Sequence, residues 1–336
     1  MKLIIDGEAR DMRAVWYDQG MVHMLDQKVL PHRLAIVDLH DHHQVAEAIR
    51  DMTVRGAPAI GVAAAYGMLL AANDHQDLRS AAKELKGTRP TAFDLFFAVD
   101  HMLSRLDAGV DPVKAAEDYA DTIVERCRMI GVHGEPLIKN GARIMTHCNA
   151  GALATVDHGT ALAPIREAWR KGKDIFVYVS ETRPRLQGMK LTAFELLNEG
   201  IPHAIIPDGA SGHFMREGVD LIIVGADRIA ANGDFANKIG TYEKAVLARE
   251  LGVPFYTAAP LSTFDLSITK GEDIPIEYRG QEEVTVIDGV RIAPLGCQAL
   301  NPGFDVTPGK YLTGIITESG VLSPNEIGNR LKGARL

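Results

Sequence analysis

Leu221-Ile-Ile-Val-Gly-Ala-Asp-Arg-Ile-Ala-Ala-Asn-Gly-Asp-Phe-Ala-Asn-Lys-Ile-Gly240 carries the clearest architectural signal in the chain. Its four opening aliphatic residues have the character of a buried strand, and a small-residue turn delivers Asp227 just past the strand's end. A polar, small-residue segment then brings Asn237 and Lys238, and the pattern over 242–251 is helical. Strand, connection and helix in this order form the repeating unit of an open α/β sheet, whose ligands bind beyond the carboxyl ends of the strands. A carboxylate there, with an amide and an ammonium nearby, suits an oxygen-rich or anionic small molecule. The same residues equally suit a capped connection that binds nothing.

The pattern extends outward in both directions. Residues 142–148, 174–180, 203–207, 221–224 and 254–258 read as buried strands separated by helical stretches, which implies a doubly wound, mostly parallel, Rossmann-like sheet. Before residue 130 the pattern differs. Short apolar runs at 3–5, 15–17, 22–25 and 35–37 alternate with Gly, Asp and Pro breaks, as in a small β-meander. Helices follow: Asp41 and Gln44 form a capping-box pair ahead of Val45, Ile49 and Met52 on one face, and further helical stretches cover 59–73, 92–106 and 112–140. The expected organisation is therefore a β-meander plus helical domain over 1–130 and a Rossmann-like α/β catalytic domain over 131–336. Asp288-Gly289 marks the turn of a late hairpin within 283–292.

Bulk properties narrow the function classes. A chain of 336 residues, 46% hydrophobic and 24% charged, is long enough for two domains with substantial cores. A formal charge of -8, from 36 basic and 44 acidic residues, argues against a broad nucleic-acid surface. Three cysteines with no CxxC pair suit a reducing cytoplasm rather than a disulfide framework. Asp6 and Gly7 interrupt the amino terminus before a signal-peptide core develops, and the apolar run at 57–73 falls short of the ~18 residues of a membrane span.

Chemistry-bearing residues gather at strand and helix ends. Cys148 closes the first strand of the α/β part in Thr146-His-Cys-Asn-Ala-Gly-Ala152 and is expected at the same sheet edge as Asp227, either as an activated thiol or as a small buried apolar group. Arg55 precedes a glycine turn that opens a helix, in Val54-Arg-Gly-Ala-Pro-Ala-Ile-Gly61, and Arg89 stands in Lys86-Gly-Thr-Arg-Pro-Thr-Ala92; both suit an anion at a helix amino terminus. Neither is a Walker loop or a GxGxxG fingerprint. Gln187 and the arginines of Glu181-Thr-Arg-Pro-Arg-Leu-Gln-Gly188 sit at another strand-to-helix corner within reach of the crevice. His147 and His158 are expected to hydrogen-bond within their loop. The run His40-Asp-His-His43 is not expected to bind metal, because adjacent side chains diverge around a helix axis.

These strings occur in one order along the chain: those around Arg55, Arg89, Cys148, Gln187 and Asp227, then Asn237-Lys-Ile-Gly-Thr-Tyr242. Over roughly 45–320 the chain thereby resembles 5-methylthioribose-1-phosphate isomerases. Their wider family includes ribose-1,5-bisphosphate isomerases and the regulatory subunits of the translation initiation factor exchange complex. The resemblance implies conversion of 5-methylthioribose 1-phosphate to 5-methylthioribulose 1-phosphate in methionine salvage, with Asp227 as general acid/base and Cys148 as the group stabilising the transition state. It also implies substrate contacts from Arg55, Gly56, Ala57, Arg89, Gln187, Asn237 and Lys238, no cofactor, no metal and a homodimer associating through the α/β domains. Residues 208–215 vary within the family and leave the C5 substituent open, so 5-deoxyribose 1-phosphate, ribose 1,5-bisphosphate and a non-catalytic scaffold stand as alternatives. Hydrogen transfer as a proton or as a hydride is likewise open.

Overall fold

The computed structural model describes residues 1–5, 7–90 and 92–327. Asp6, Thr91 of the Arg89 string and the end of the α/β domain at 328–336 lie outside the described residues.

The amino-terminal strands divide differently from the expected single meander. β1 (Lys2–Ile5) pairs with β2 (Glu8–Asp11) as a separate antiparallel hairpin, and β3 (Val15–Asp18), β4 (Met21–Leu25) and β5 (Ile36–Leu39) form the meander. β2 is exposed at all four positions, so it carries no apolar run to betray it. Half of the capping box forms as expected: Asp41 accepts from the Gln44 backbone N–H, while the Gln44 side chain accepts from the His40 N–H, one residue before the cap, opening α1 (His42–Arg50).

α2 (Ala57–Asn73) is apolar nearly all round and buries fourteen of its seventeen residues, as a helix wrapped on every side must. Packed about it are α1, α3 (Leu78–Thr88), α4 (Phe93–Asp107) and α5 (Pro112–Gly134). α3 was not legible in the charged sequence around it. α5 stops at Gly134 and tightens into a 3-10 turn at Glu135–Leu137 instead of running to residue 140. It packs against α2 on one side and against α7 (Leu162–Arg170) of the α/β part on the other. No helix among the described residues is long and apolar enough to cross a membrane.

All five expected sheet strands form: β6 (Ala142–Thr146), β7 (Ile175–Ser180), β8 (His203–Ile206), β9 (Leu221–Val224) and β12 (Phe255–Ala258). Two more, β17 (Gly314–Thr317) and β18 (Gly320–Leu322), extend the sheet to the order β18-β17-β12-β9-β6-β7-β8. Every neighbouring pair is parallel except β17 with β18. The chain moves outward from β6 through β7 and β8, then returns to β9 on the other flank, so the winding reverses between β6 and β9.

The stretch after Asp227 is not an irregular connection. β10 (Arg228–Ala230) and β11 (Phe235–Lys238) form a hairpin, which β13 (Phe264–Asp265) and β16 (Phe304–Thr307) extend into a four-stranded sheet. The Asn232-Gly233 turn, with Gly233 at φ 86°, and the burial of Ile229, Ala230, Phe235 and Ala236 explain the difference. Asn237 and Lys238 thus stand on a strand, ahead of α10 (Thr241–Glu250). The late hairpin forms as expected from β14 (Val286–Ile287) and β15 (Val290–Arg291) around Asp288 and Gly289, both at positive φ.

Candidate active site

The reversal between β6 and β9 leaves a crevice that the outgoing connections cannot cover, and open α/β sheets place their ligands there. Cys148 follows the end of β6 and Asp227 follows the end of β9. The two line one cavity together with Arg55, Gly56, Ala57, Arg89, Gln187, Asn237 and Lys238, so all nine residues selected from sequence meet in one place.

Arg55, Gly56 and Ala57 come from the amino terminus of α2. No side chain among the described residues caps that helix, so its amino terminus turns a positive dipole end toward the cavity. Gly56 is required: φ is 94°, and a Cβ would come within 2.5 Å of Ala154. The Arg55 guanidinium bonds to the Asn149 carbonyl at 3.3 Å and to the Asn149 side-chain oxygen, and meets no carboxylate among the described residues.

Cys148 adopts φ 63°, a left-handed conformation that a non-glycine residue holds only when its surroundings impose it. Two threonines do so: Thr182 Oγ1 accepts from the Cys148 N–H at 2.9 Å, and Thr192 Oγ1 donates to its carbonyl at 2.7 Å. Gln187, with 5% exposure, has a side-chain oxygen with no partner among the described residues, a free acceptor in the cavity wall. Asn237 donates to Thr241 Oγ1 at 3.0 Å. Lys238 donates to the Gly303 carbonyl at 2.8 Å and lies 4.3 Å from the centre of the Phe304 ring.

Burial dominates the electrostatics. It raises the Asp227 carboxyl above the usual range, against the pull of Lys238, Arg279, Arg89 and Arg55. Burial and the adjacent Arg279 lower the Lys238 ammonium to about 8. His147 is driven well below its ordinary value, first by burial and then by Lys244, and is neutral near pH 7. Asp94, near the start of α4, has no partner for either carboxyl oxygen among the described residues, and burial together with Asp227 pushes it to about 7.

Several expectations change. Arg183 and Arg185 do not reach the crevice: Arg183 donates to the Pro184 and Val284 carbonyls and Arg185 pairs with Glu283, so of that string only Gln187 lines the cavity. His147 bonds to the Ile239 carbonyl at 2.8 Å, outside its own loop, and thereby ties the Cys148 turn to the Lys238 strand. The His42 and His43 rings do not diverge. Their centroids lie 3.9 Å apart at the opening of α1, where both rings turn toward Glu84 of α3 and form a group that could hold a metal ion. None of the three lines the cavity.

Arg279 was missed. It enters the wall beside Phe304, and Glu277 Oε2 accepts from it at 3.1 Å and from Arg89 at 3.2 Å. Its string carries no motif, and only the pairing of the 277–279 segment with 301–303 brings it inward.

The model of the initiation factor 2 subunit family matches residues 53–324. A methylthioribose-1-phosphate isomerase of Acetivibrio thermocellus is 50% identical over 332 residues, covering 93% of this chain and 97% of that protein. One of Roseiflexus castenholzii is 52% identical, covering 93% and 95%. Among solved structures, 5-methylthioribose 1-phosphate isomerase from Pyrococcus horikoshii OT3 superposes with a TM-score of 0.89 at 43% identity, over 96% of each chain. Translation initiation factor eIF-2B, subunit delta, from A. fulgidus superposes with a TM-score of 0.85 at 40% identity, over 96% of this chain and 99% of that one. The chain belongs to the initiation factor 2 subunit family and, within it, to the methylthioribose-1-phosphate isomerases.

Proposed function

We propose that this protein is an aldose-ketose isomerase that converts 5-methylthioribose 1-phosphate to 5-methylthioribulose 1-phosphate. The observation that carries the reading is the meeting of Asp227 and Cys148 in one cavity walled by Arg55, Arg89, Lys238 and the uncapped amino terminus of α2. The names of relatives about half identical over nearly the whole chain support the same substrate.

Phosphate on the anomeric oxygen blocks spontaneous ring opening, so the site must assist ring cleavage before hydrogen moves from C2 to C1. In this reading the α2 amides with Arg55, Gly56 and Ala57 receive the phosphate, and Arg89, Arg279 and Lys238 add positive charge around it. Gln187 and Asn237 orient the sugar hydroxyls. Asp227 is the acid/base: burial favours its protonated form, which can donate to the ring oxygen as the ring opens. Cys148, fixed in its strained turn, stabilises the transition state.

The lining also contains Met52, Pro260, Ile274, Pro275 and Ile276, an apolar surface suited to an uncharged thioether. Ribose 1,5-bisphosphate would bring a second phosphate, while Glu277 already engages two of the cavity's guanidiniums. The likeness to an initiation-factor subunit supports a scaffold as the second reading. Assay of purified protein with methylthioribose 1-phosphate, 5-deoxyribose 1-phosphate and ribose 1,5-bisphosphate separates them. Turnover of the bisphosphate alone overturns the proposal, and no turnover at all favours the scaffold.

We also infer two domains meeting near residue 130 and a homodimer in a reducing cytoplasm. Val290, Ile292, Leu295 and Leu300 are 58–89% exposed on the arm carrying the late hairpin, an apolar surface of the kind that a partner covers. The three cysteines are free. Light scattering is expected to give twice the chain mass, and Leu295→Glu with Leu300→Glu to halve it.

A further inference from the structure

Arg55 reaches the cavity through a relay that begins at a carboxylate outside it. Glu195 belongs to α8 (Ala193–Asn198), does not line the cavity and is buried to 1% exposure. Its Oε1 accepts from Asn149 Nδ2 at 2.8 Å and from the Leu153 N–H at 3.2 Å; its Oε2 accepts from the Ala152 N–H at 2.8 Å and from Arg166 Nη2 at 2.6 Å. Arg166, also buried, forms an ion pair with Glu199 at 2.9 Å and donates a hydrogen bond to the His158 carbonyl at 2.6 Å. A Cβ on Gly151 would fall 2.3 Å from the carboxylate, so glycine is what allows it this close to the loop.

Both Glu195 oxygens face only donors, which fixes the Asn149 amide. Its NH2 must point at Glu195, and its oxygen must therefore point at Arg55. Thr192 Oγ1, which holds the Cys148 carbonyl, meets the same NH2 at 3.2 Å. Building on the isomerase reading above, we propose that Glu195, charge-balanced by Arg166, is a positioning residue: through Asn149 it aims the Arg55 guanidinium at the substrate phosphate. A glutamine at this position cannot reproduce it, because its NH2 must confront either Asn149 and Leu153 or Ala152 and Arg166, donor against donor.

The test is a double-mutant cycle on kinetic constants. Glu195→Gln is expected to lower kcat/KM roughly 10- to 100-fold, the scale of a misplaced positioning group, with most of the loss in KM. In an Arg55→Ala background the same substitution should cost less than about threefold, since the group it aims is gone. Asn149→Ala keeps the Glu195–Arg166 pair and the loop amides, should reproduce the KM loss, and carries the cycle alone if Glu195→Gln does not fold. Equal losses with and without Arg55 in a wild type that turns over overturn the inference alone. A wild type without turnover overturns the isomerase reading and this one with it.

Discussion

Lys238 is expected to set an upper pH limit on substrate capture. Burial and Arg279 both oppose the charge on its ammonium and lower it from the ordinary lysine value of 10.5 to about 8. At 1.36 kcal/mol per pH unit, that difference is roughly 3 kcal/mol of bias against the charged form. Between about 8 and 10.5 the unfolded chain retains a proton that the folded chain has lost, so this group's contribution to stability rises with pH there; below about 8 the folded protein bears the whole penalty. An anionic phosphate reverses the preference. A hydrogen bond between charged partners contributes about 1.5–3 kcal/mol, so kcat/KM should fall roughly 10- to 100-fold as pH rises through about 8. Arginine stays charged throughout, so Lys238→Arg should be slower near neutrality yet show no descending limb at that pH. Initial rates at subsaturating substrate from about pH 6 to about pH 10, with the ketose followed by NMR, decide the matter. A descending limb that survives in Lys238→Arg, or a wild-type rate that stays level to the end of the range, refutes the reasoning.

Asp227→Asn should lower kcat by roughly 10²–10⁴-fold without lowering the unfolding midpoint, because it removes a carboxyl that burial already disfavours as an anion; near-normal turnover would remove Asp227 from the chemistry. Asp94 offers a stability test: with a folded value of about 7 against 3.8, it withdraws stability as pH rises from about 4 to about 7, so Asp94→Asn should unfold about 1–3 kcal/mol harder than wild type at roughly pH 8 by urea titration. Gly188→Ala would put a Cβ 1.8 Å from the Ser180 carbonyl at the end of β7, and should cost about 3 kcal/mol or more, seen as loss of soluble, cooperatively melting protein. Chelator treatment should leave turnover unchanged even if the His42, His43 and Glu84 group takes up metal, because none of the three lines the cavity; complete loss would contradict the Asp227 and Cys148 scheme.

Local sequence patterns suffice for the five central strands β6, β7, β8, β9 and β12. Four aliphatic residues before Gly225 read as a buried strand in any setting, and the ordered strings carry a family resemblance that implies nine residues, all of which line the cavity. Local patterns became unreliable where pairing is supplied from far along the chain. β10 and β11 looked like a polar connection because partners at 264–265 and 304–307 complete their sheet. β17 takes its place by pairing with β12, and β18 by folding back antiparallel on β17. Tertiary packing alone makes β6 and β9 neighbours at the reversal of the winding, which puts Cys148 beside Asp227's crevice. Only it turned Arg183 and Arg185 away, brought Arg279 in, and set Glu195 behind Asn149. Hydrophobic periodicity reports which face of an element is buried, whereas the partners of a buried charge depend on side chains that meet through folding, such as Arg166 and Glu195, 29 positions apart.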